Sequence, residues 1–145
     1  MRFNPEHYLE ASLERLEDAR ILYNEKRYAA SIYFSGVAVE CLLRAYRMRK
    51  DPSFDSRHNL GDLVQASSVT EFLIPQDRRT FGVAFGELWR RWKNDYRYAS
   101  EYRLKSELRR LHLHVGVKGD FVKYNSMVAF NTAQDIVTLG VNRWG

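Results

Sequence analysis

Between Trp89 and Arg103, aromatic and cationic side chains alternate at close range: Trp89, Trp92, Tyr96, Tyr98 and Tyr102 interleave with Arg90, Arg91, Lys93, Arg97 and Arg103. Guanidinium groups neutralise phosphate while aromatic faces stack on unpaired bases, so this mixture suits single-stranded nucleic acid. The charge is local. Residues 78–110 hold ten Arg and Lys against Glu87, Asp95, Glu101 and Glu107, a balance of +6, whereas residues 1–25 hold three Arg against six acids. Of the 23 cations 17 are Arg, whose planar fork matches phosphate better than a lysine point charge does. The expected partner is therefore a polyanion, RNA or a nucleotide. The same residues also fit a solvated helix laced by four-residue pairs: Glu87 with Arg91, Arg91 with Asp95, Arg97 with Glu101, Glu101 with Lys105 and Arg103 with Glu107.

Other chemistries find less support. His7, His112 and His114 have no carboxylate at metal-ligand spacing in their own segments, so no metal is expected. The lone Cys41 offers neither an internal disulfide nor a thiolate cluster. The glycine motifs that cradle nucleotide phosphates in other folds are missing, and no cofactor is expected. Gly116 and Gly119 around Lys118 make a basic turn before a helix, an arrangement that receives an anion or simply connects two helices.

The elements that position these residues follow from composition and periodicity. A chain of 145 residues with 45% hydrophobic and 28% charged side chains buries a core of its own, and only eight Gly and three Pro favour helices over turn-rich sheets. A mean hydropathy of −0.50 without an apolar run near 18 residues argues against a membrane span. The first residues lack an apolar stretch, so no secretory signal is expected and a cytoplasmic location follows. Asn4 and Pro5 open a first helix whose stripe is Leu9, Ser12, Leu16, Ala19 and Tyr23, with Leu13 and Leu22 beside it. A second helix from about Tyr28 to Met48 is apolar nearly all round, as a central helix must be. His58 to Ala66 reads as a short helix. Pro75 opens the next, with Phe81, Ala84, Phe85, Leu88 and Trp92 inward; Leu104, Leu108 and Leu111 continue as one kinked helix or as a second one. Asp120 caps a last helix running towards Trp144, whose stripe of Val122, Ser126, Ala129, Ala133, Ile136 and Gly140 is small enough for close approach. The expected architecture is all-α, a single domain over residues 1–145 made of an up-and-down bundle of four to six helices.

Arg27-Tyr28-Ala29-Ala30, Phe34, the run Ala38-Val39-Glu40-Cys41-Leu42-Leu43-Arg44-Ala45, then His58-Asn59-Leu60 with Leu63, and later Asn94-Asp95-Tyr96-Arg97-Tyr98, together resemble HEPN domains. The resemblance covers roughly residues 8–100 and, more loosely, the last helix. Glu40 stands among Val37, Val39 and Cys41, where a bare carboxylate costs several kcal/mol, so it needs a partner such as Arg44 or Arg97. His58 reads as a structural residue at a helix start.

The resemblance implies a helical bundle, often a homodimer, tied to RNA or nucleotide chemistry and frequently paired with a minimal nucleotidyltransferase partner in toxin–antitoxin systems. Active members are metal-independent ribonucleases in which an Arg and a His, with four to six residues between them, stabilise the phosphorane and handle the 2′-hydroxyl proton. At the matching place this chain has Arg91 and, five residues on, Tyr96, a poor base at neutral pH. The bare spacing recurs at Arg109 and His114. The reading that follows is an RNA-, nucleotide- or nucleotidyltransferase-binding bundle using Arg90, Arg91, Lys93, Arg97 and Arg103. Its rivals are a ribonuclease using Arg109 and His114, and an interaction module whose acidic first helix and basic segment engage another protein.

Overall fold

The computed structural model describes residues 1–52, 62 and 69–145. Among these residues are five α-helices and no strand: α1 (Pro5–Asn24), α2 (Tyr28–Lys50), α3 (Pro75–Trp89), α4 (Glu101–Arg110) and α5 (Phe121–Asn142), with 3-10 turns at Val69–Phe72 and Asn94–Tyr98. The expected all-α bundle is therefore what forms. His58 and, apart from residue 62, the short helix expected around it lie outside the described residues. No helix among the described residues is long and apolar enough to cross a membrane.

α1 begins as its sequence requires. Asn4 Oδ1 accepts from the His7 amide at 2.8 Å, and His7 Nδ1 accepts from the Asn4 amide at 3.0 Å, so two donors that a helix start leaves orphaned are satisfied reciprocally. Its inner stripe packs along α2 with Ser12 and Ala19 fully buried, while Leu13, at the edge of that stripe, stays half exposed. α2 is the central element. Ile32, Val39, Leu42, Leu43 and Ala45 have no exposed surface, and α5 covers the side of α2 that α1 leaves open.

Two glycines set the helix spacing. A Cβ on Gly140 of α5 would fall 2.5 Å from Leu42 Cδ2, and the Gly140 carbonyl accepts from the Tyr46 hydroxyl at 2.7 Å. The small-residue stripe of α5 thus does what its composition predicts. On α2 the bare Cα of Gly36 receives the Trp92 indole, which stacks on Tyr33 and donates from Nε1 to the Tyr33 carbonyl at 2.9 Å. That contact fixes the stretch after α3 to the core.

The region from Pro75 to Leu111 is two helices separated by an eleven-residue excursion, residues 90–100, rather than one kinked rod. Tyr96 turns inward from the 3-10 turn, and Ser100 starts α4 by accepting from the Arg103 amide at 3.1 Å. The first residue of α4 completes α2: Arg27 supplies no side-chain cap, and Glu101 Oε1 instead accepts from the Ala29 amide at 2.7 Å.

Candidate functional site

The excursion between α3 and α4 decides which cations are free. Of the five four-residue pairs that a continuous helix would make, only Glu87 with Arg91 forms, at 2.6 Å. Residues 91 and 95, and 97 and 101, fall out of helical register, and Glu101 is turned to the start of α2. Glu107 faces Lys93 at 3.0 Å and Arg110 at 2.5 Å rather than Arg103. Among the described residues Arg97, Arg103, Lys105 and Arg109 are exposed and form no ion pair. The Arg97 guanidinium lies over the Tyr98 ring at 4.7 Å. Tyr98 and Tyr102 are 76% and 77% exposed, whereas Trp92 and Tyr96 are in the core. The accessible part of the basic segment is thus Arg97, Tyr98, Tyr102 and Arg103, continued along α4 by Lys105 and Arg109. Arg90 and Lys93 are exposed as well but share Glu87 and Glu107.

Hydrogen bonding from Arg110, reinforced by Lys93, holds the Glu107 carboxyl down at about 2. A depressed carboxylate contributes stability above its ordinary value of 4.5, and that contribution disappears as the pH falls through about 2. Both cations are solvent-facing, so the effect is expected to stay below about 1 kcal/mol. Glu107→Gln should flatten the stability-versus-pH curve between these values; an unaltered acid limb in denaturant melts would contradict the pairing.

Arg91 has a different position. It is 5% exposed; Nε donates to Asn125 Oδ1 at 2.8 Å, and Nη1 donates to the Glu87 carbonyl and carboxylate at 3.0 and 2.6 Å. Asn125, wholly buried, donates from Nδ2 to the carbonyls of Leu113 and Phe121 at 3.0 and 2.7 Å. One side chain from just past α3 thereby reaches through one of α5 to the turn that carries the histidines. Tyr96, five residues after Arg91, lines a separate cleft of about 310 Å³ with Lys93, Tyr98, Arg103 and Glu107, and its hydroxyl has no hydrogen-bond partner. Burial, with Glu107 and Asp95 nearby, pushes the phenol up to about 12, so it is a donor and not a base at neutral pH. Arg91 and Tyr96 line different clefts.

Arg109 and His114 both contact the ring of Phe121. α4 ends with the Leu113 amide donating to the Leu108 carbonyl at 2.9 Å and His112 at a φ of 59°, which folds the chain back. The His114 ring then lies 5.8 Å from that of Phe121, and the Arg109 guanidinium 5.4 Å from the same ring. The Nδ1 atom of His114 is buried without a hydrogen bond, and Arg109 is exposed. Phe121 is thus the common neighbour of His114, Arg109 and Lys105, whose Nζ lies 5.8 Å from the ring centroid. Sequence reasoning missed Phe121 and Asn125; the amide at position 125, one residue off the small stripe of α5, was the available signal.

Glu40 is buried and pairs with Arg44 Nε at 3.6 Å, the one-turn partner and not Arg97. Burial, aided by Glu40, pushes the neighbouring Cys41 thiol up to about 11, which leaves it an inert core residue. Among the described residues no three His, Cys, Asp or Glu side chains gather as a metal site would require.

A family model described as HEPN domain matches residues 5–143. No curated protein and no solved structure matches the chain significantly.

Proposed function

We propose that this chain, which belongs to the HEPN domain family, binds single-stranded RNA or a nucleotide through the exposed face of residues 97–109. The observation that carries the reading is the set of unpaired cations, Arg97, Arg103, Lys105 and Arg109, beside the exposed rings of Tyr98 and Tyr102. In a solvated helix those charges would be matched by carboxylates one turn away, and here the matching carboxylates are used elsewhere. Unpaired arginines beside free aromatic rings suit phosphates and unstacked bases. In the setting that family membership suggests, the partner is RNA or a minimal nucleotidyltransferase of a toxin–antitoxin pair, the protein is a cytoplasmic homodimer, and no metal or cofactor takes part.

The test is the salt dependence of RNA affinity. Each neutralised phosphate on a single strand contributes roughly 0.7 to the slope of log affinity against log salt. Replacing Arg97 and Arg103 together by Ala should therefore lower that slope by about 1.4. A folded double variant with an unchanged slope removes the reading.

A metal-independent ribonuclease is the second reading, favoured by the shared contact of Arg109 and His114 with Phe121. It requires RNA cleavage in chelator, reduced on the order of a hundredfold or more by His114→Ala and by Arg109→Ala separately. Binding without cleavage under those conditions sets it aside.

A further inference from the structure

The turn between α4 and α5 and the end of α3 enclose a second cleft of about 310 Å³, at the lower end of the size of ligand sites. Arg90, Arg91, His112 and Lys118 line it, Tyr124 and Val115 supply apolar wall, and no carboxylate is among its lining residues. The carboxylate in contact with this group is Glu87, shared between Arg91 at 2.6 Å and Arg90 at 3.6 Å, so two guanidinium groups meet one negative charge. Asp120 is turned away, accepting from the Lys123 amide at 3.0 Å. Arg91 is nine-tenths buried, and of its guanidinium nitrogens Nη2 makes no hydrogen bond among the described residues. Glu87 balances one of the two guanidinium charges, and the free Nη2 edge of Arg91 is left to bond an anion entering a cleft whose lining carries no carboxylate of its own. In the turn itself Val115 and Val117 donate their amides to the carbonyls of His112 and His114, while the amides of Gly116 and Lys118 have no backbone acceptor. Tyr124, 41% exposed, and Val115, 69% exposed, add a surface against which a flat ring can lie.

We propose that this cleft seats a phosphate group of a ribonucleotide, held by Arg90, Arg91 and Lys118, with the base against Tyr124. It lies apart from the face formed by residues 97–109 and rests on the RNA- or nucleotide-binding reading given above. The Asn125 amide, bonded to both Arg91 and the Leu113 carbonyl, holds the two walls of the cleft at a fixed distance. The phosphate belongs either to a free nucleotide or to a strand, and both present the same oxygens to these cations.

Amide resonances of Gly116, Val117 and Lys118 followed by NMR during titration with uridine 3′-monophosphate, uridine and an eight-residue uridine oligonucleotide test the assignment. Movement with the monophosphate but not with uridine is expected, and Lys118→Ala should weaken the monophosphate about tenfold. Tyr124→Ala should weaken the monophosphate but not inorganic phosphate. Movement with the oligonucleotide alone places the phosphate in a strand and still supports the cleft. No saturable movement at these amides with either nucleotide, or equal affinity in Lys118→Ala, overturns it. The exposed face is judged separately by its salt slope, so a silent cleft with a normal slope sinks this assignment only, and a moving cleft with no Arg97 and Arg103 contribution sinks the other.

Discussion

Asn125→Leu is expected to lower stability by about 3–4 kcal/mol in denaturant unfolding, more than any surface change in this chain. Leucine keeps the branched heavy-atom skeleton but is bulkier, so the loss combines the missing polar bonds with some overpacking at a wholly buried position. The buried Arg91 guanidinium forfeits the acceptor at 2.8 Å, and the carbonyls of Leu113 and Phe121 forfeit donors at 3.0 and 2.7 Å. Glu87 still neutralises Arg91, which keeps the figure below that of a bare buried charge. Coupling is the sharper criterion. With Arg91→Met introduced alongside, the double variant should recover part of the loss, because the cation that demanded the acceptor has gone. Strictly additive losses, or a single-variant effect under about 1 kcal/mol, would show that the two side chains do not act together.

Gly36→Ala should cost about 3 kcal/mol although alanine is the better helix former by about 0.8–1.0 kcal/mol. The added methyl would sit 2.0 Å from Trp92 Nε1 and 2.1 Å from Cδ1, closer than any contact allows, so the indole must leave its seat and its bond to the Tyr33 carbonyl. Gly82 and Gly86 on α3 provide the internal comparison: nothing lies within 4 Å of a Cβ built there, and Ala at either should stabilise by about 0.5–1 kcal/mol. Thermal melts of the three variants, with Trp fluorescence to follow indole exposure, separate the cases. Gly36→Ala melting at or above the parent temperature would refute the packing argument.

The helices were legible where local chemistry decides. Asn4 with Pro5, and Asp120, mark true starts, and the all-round apolar character of α2 marks it as central. The division between α3 and α4 was not legible, because Leu104 and Leu108 continue an apolar pattern whose interruption depends on Tyr96 turning inward. Ser100 followed by Glu101 was a start signal within that stretch, masked by the run of apparent four-residue charge pairs. For the same reason the free cations could not be told from the paired ones: Glu101 and Glu107 find partners in Ala29 and Lys93, 72 and 14 residues away. Arg91 is the clearest case. Its sequence neighbours make it one more member of a basic cluster, while Asn125, 34 residues on, draws it inside.

The bond from Glu101 to the Ala29 amide also concerns the order in which the protein is made. α2, the most buried helix, emerges from the ribosome with its first turn incomplete, since the carboxylate that satisfies it follows 72 residues later. At about 5–20 residues per second that delay is roughly 4–14 s. A nascent chain stalled before position 101 holds the central helix with an uncapped start and no α5 to cover its open side. The segment that presents the exposed cations therefore completes the start of α2 before α5 arrives to cover its open side, so the nascent chain cannot finish its interior before the basic face has been synthesised.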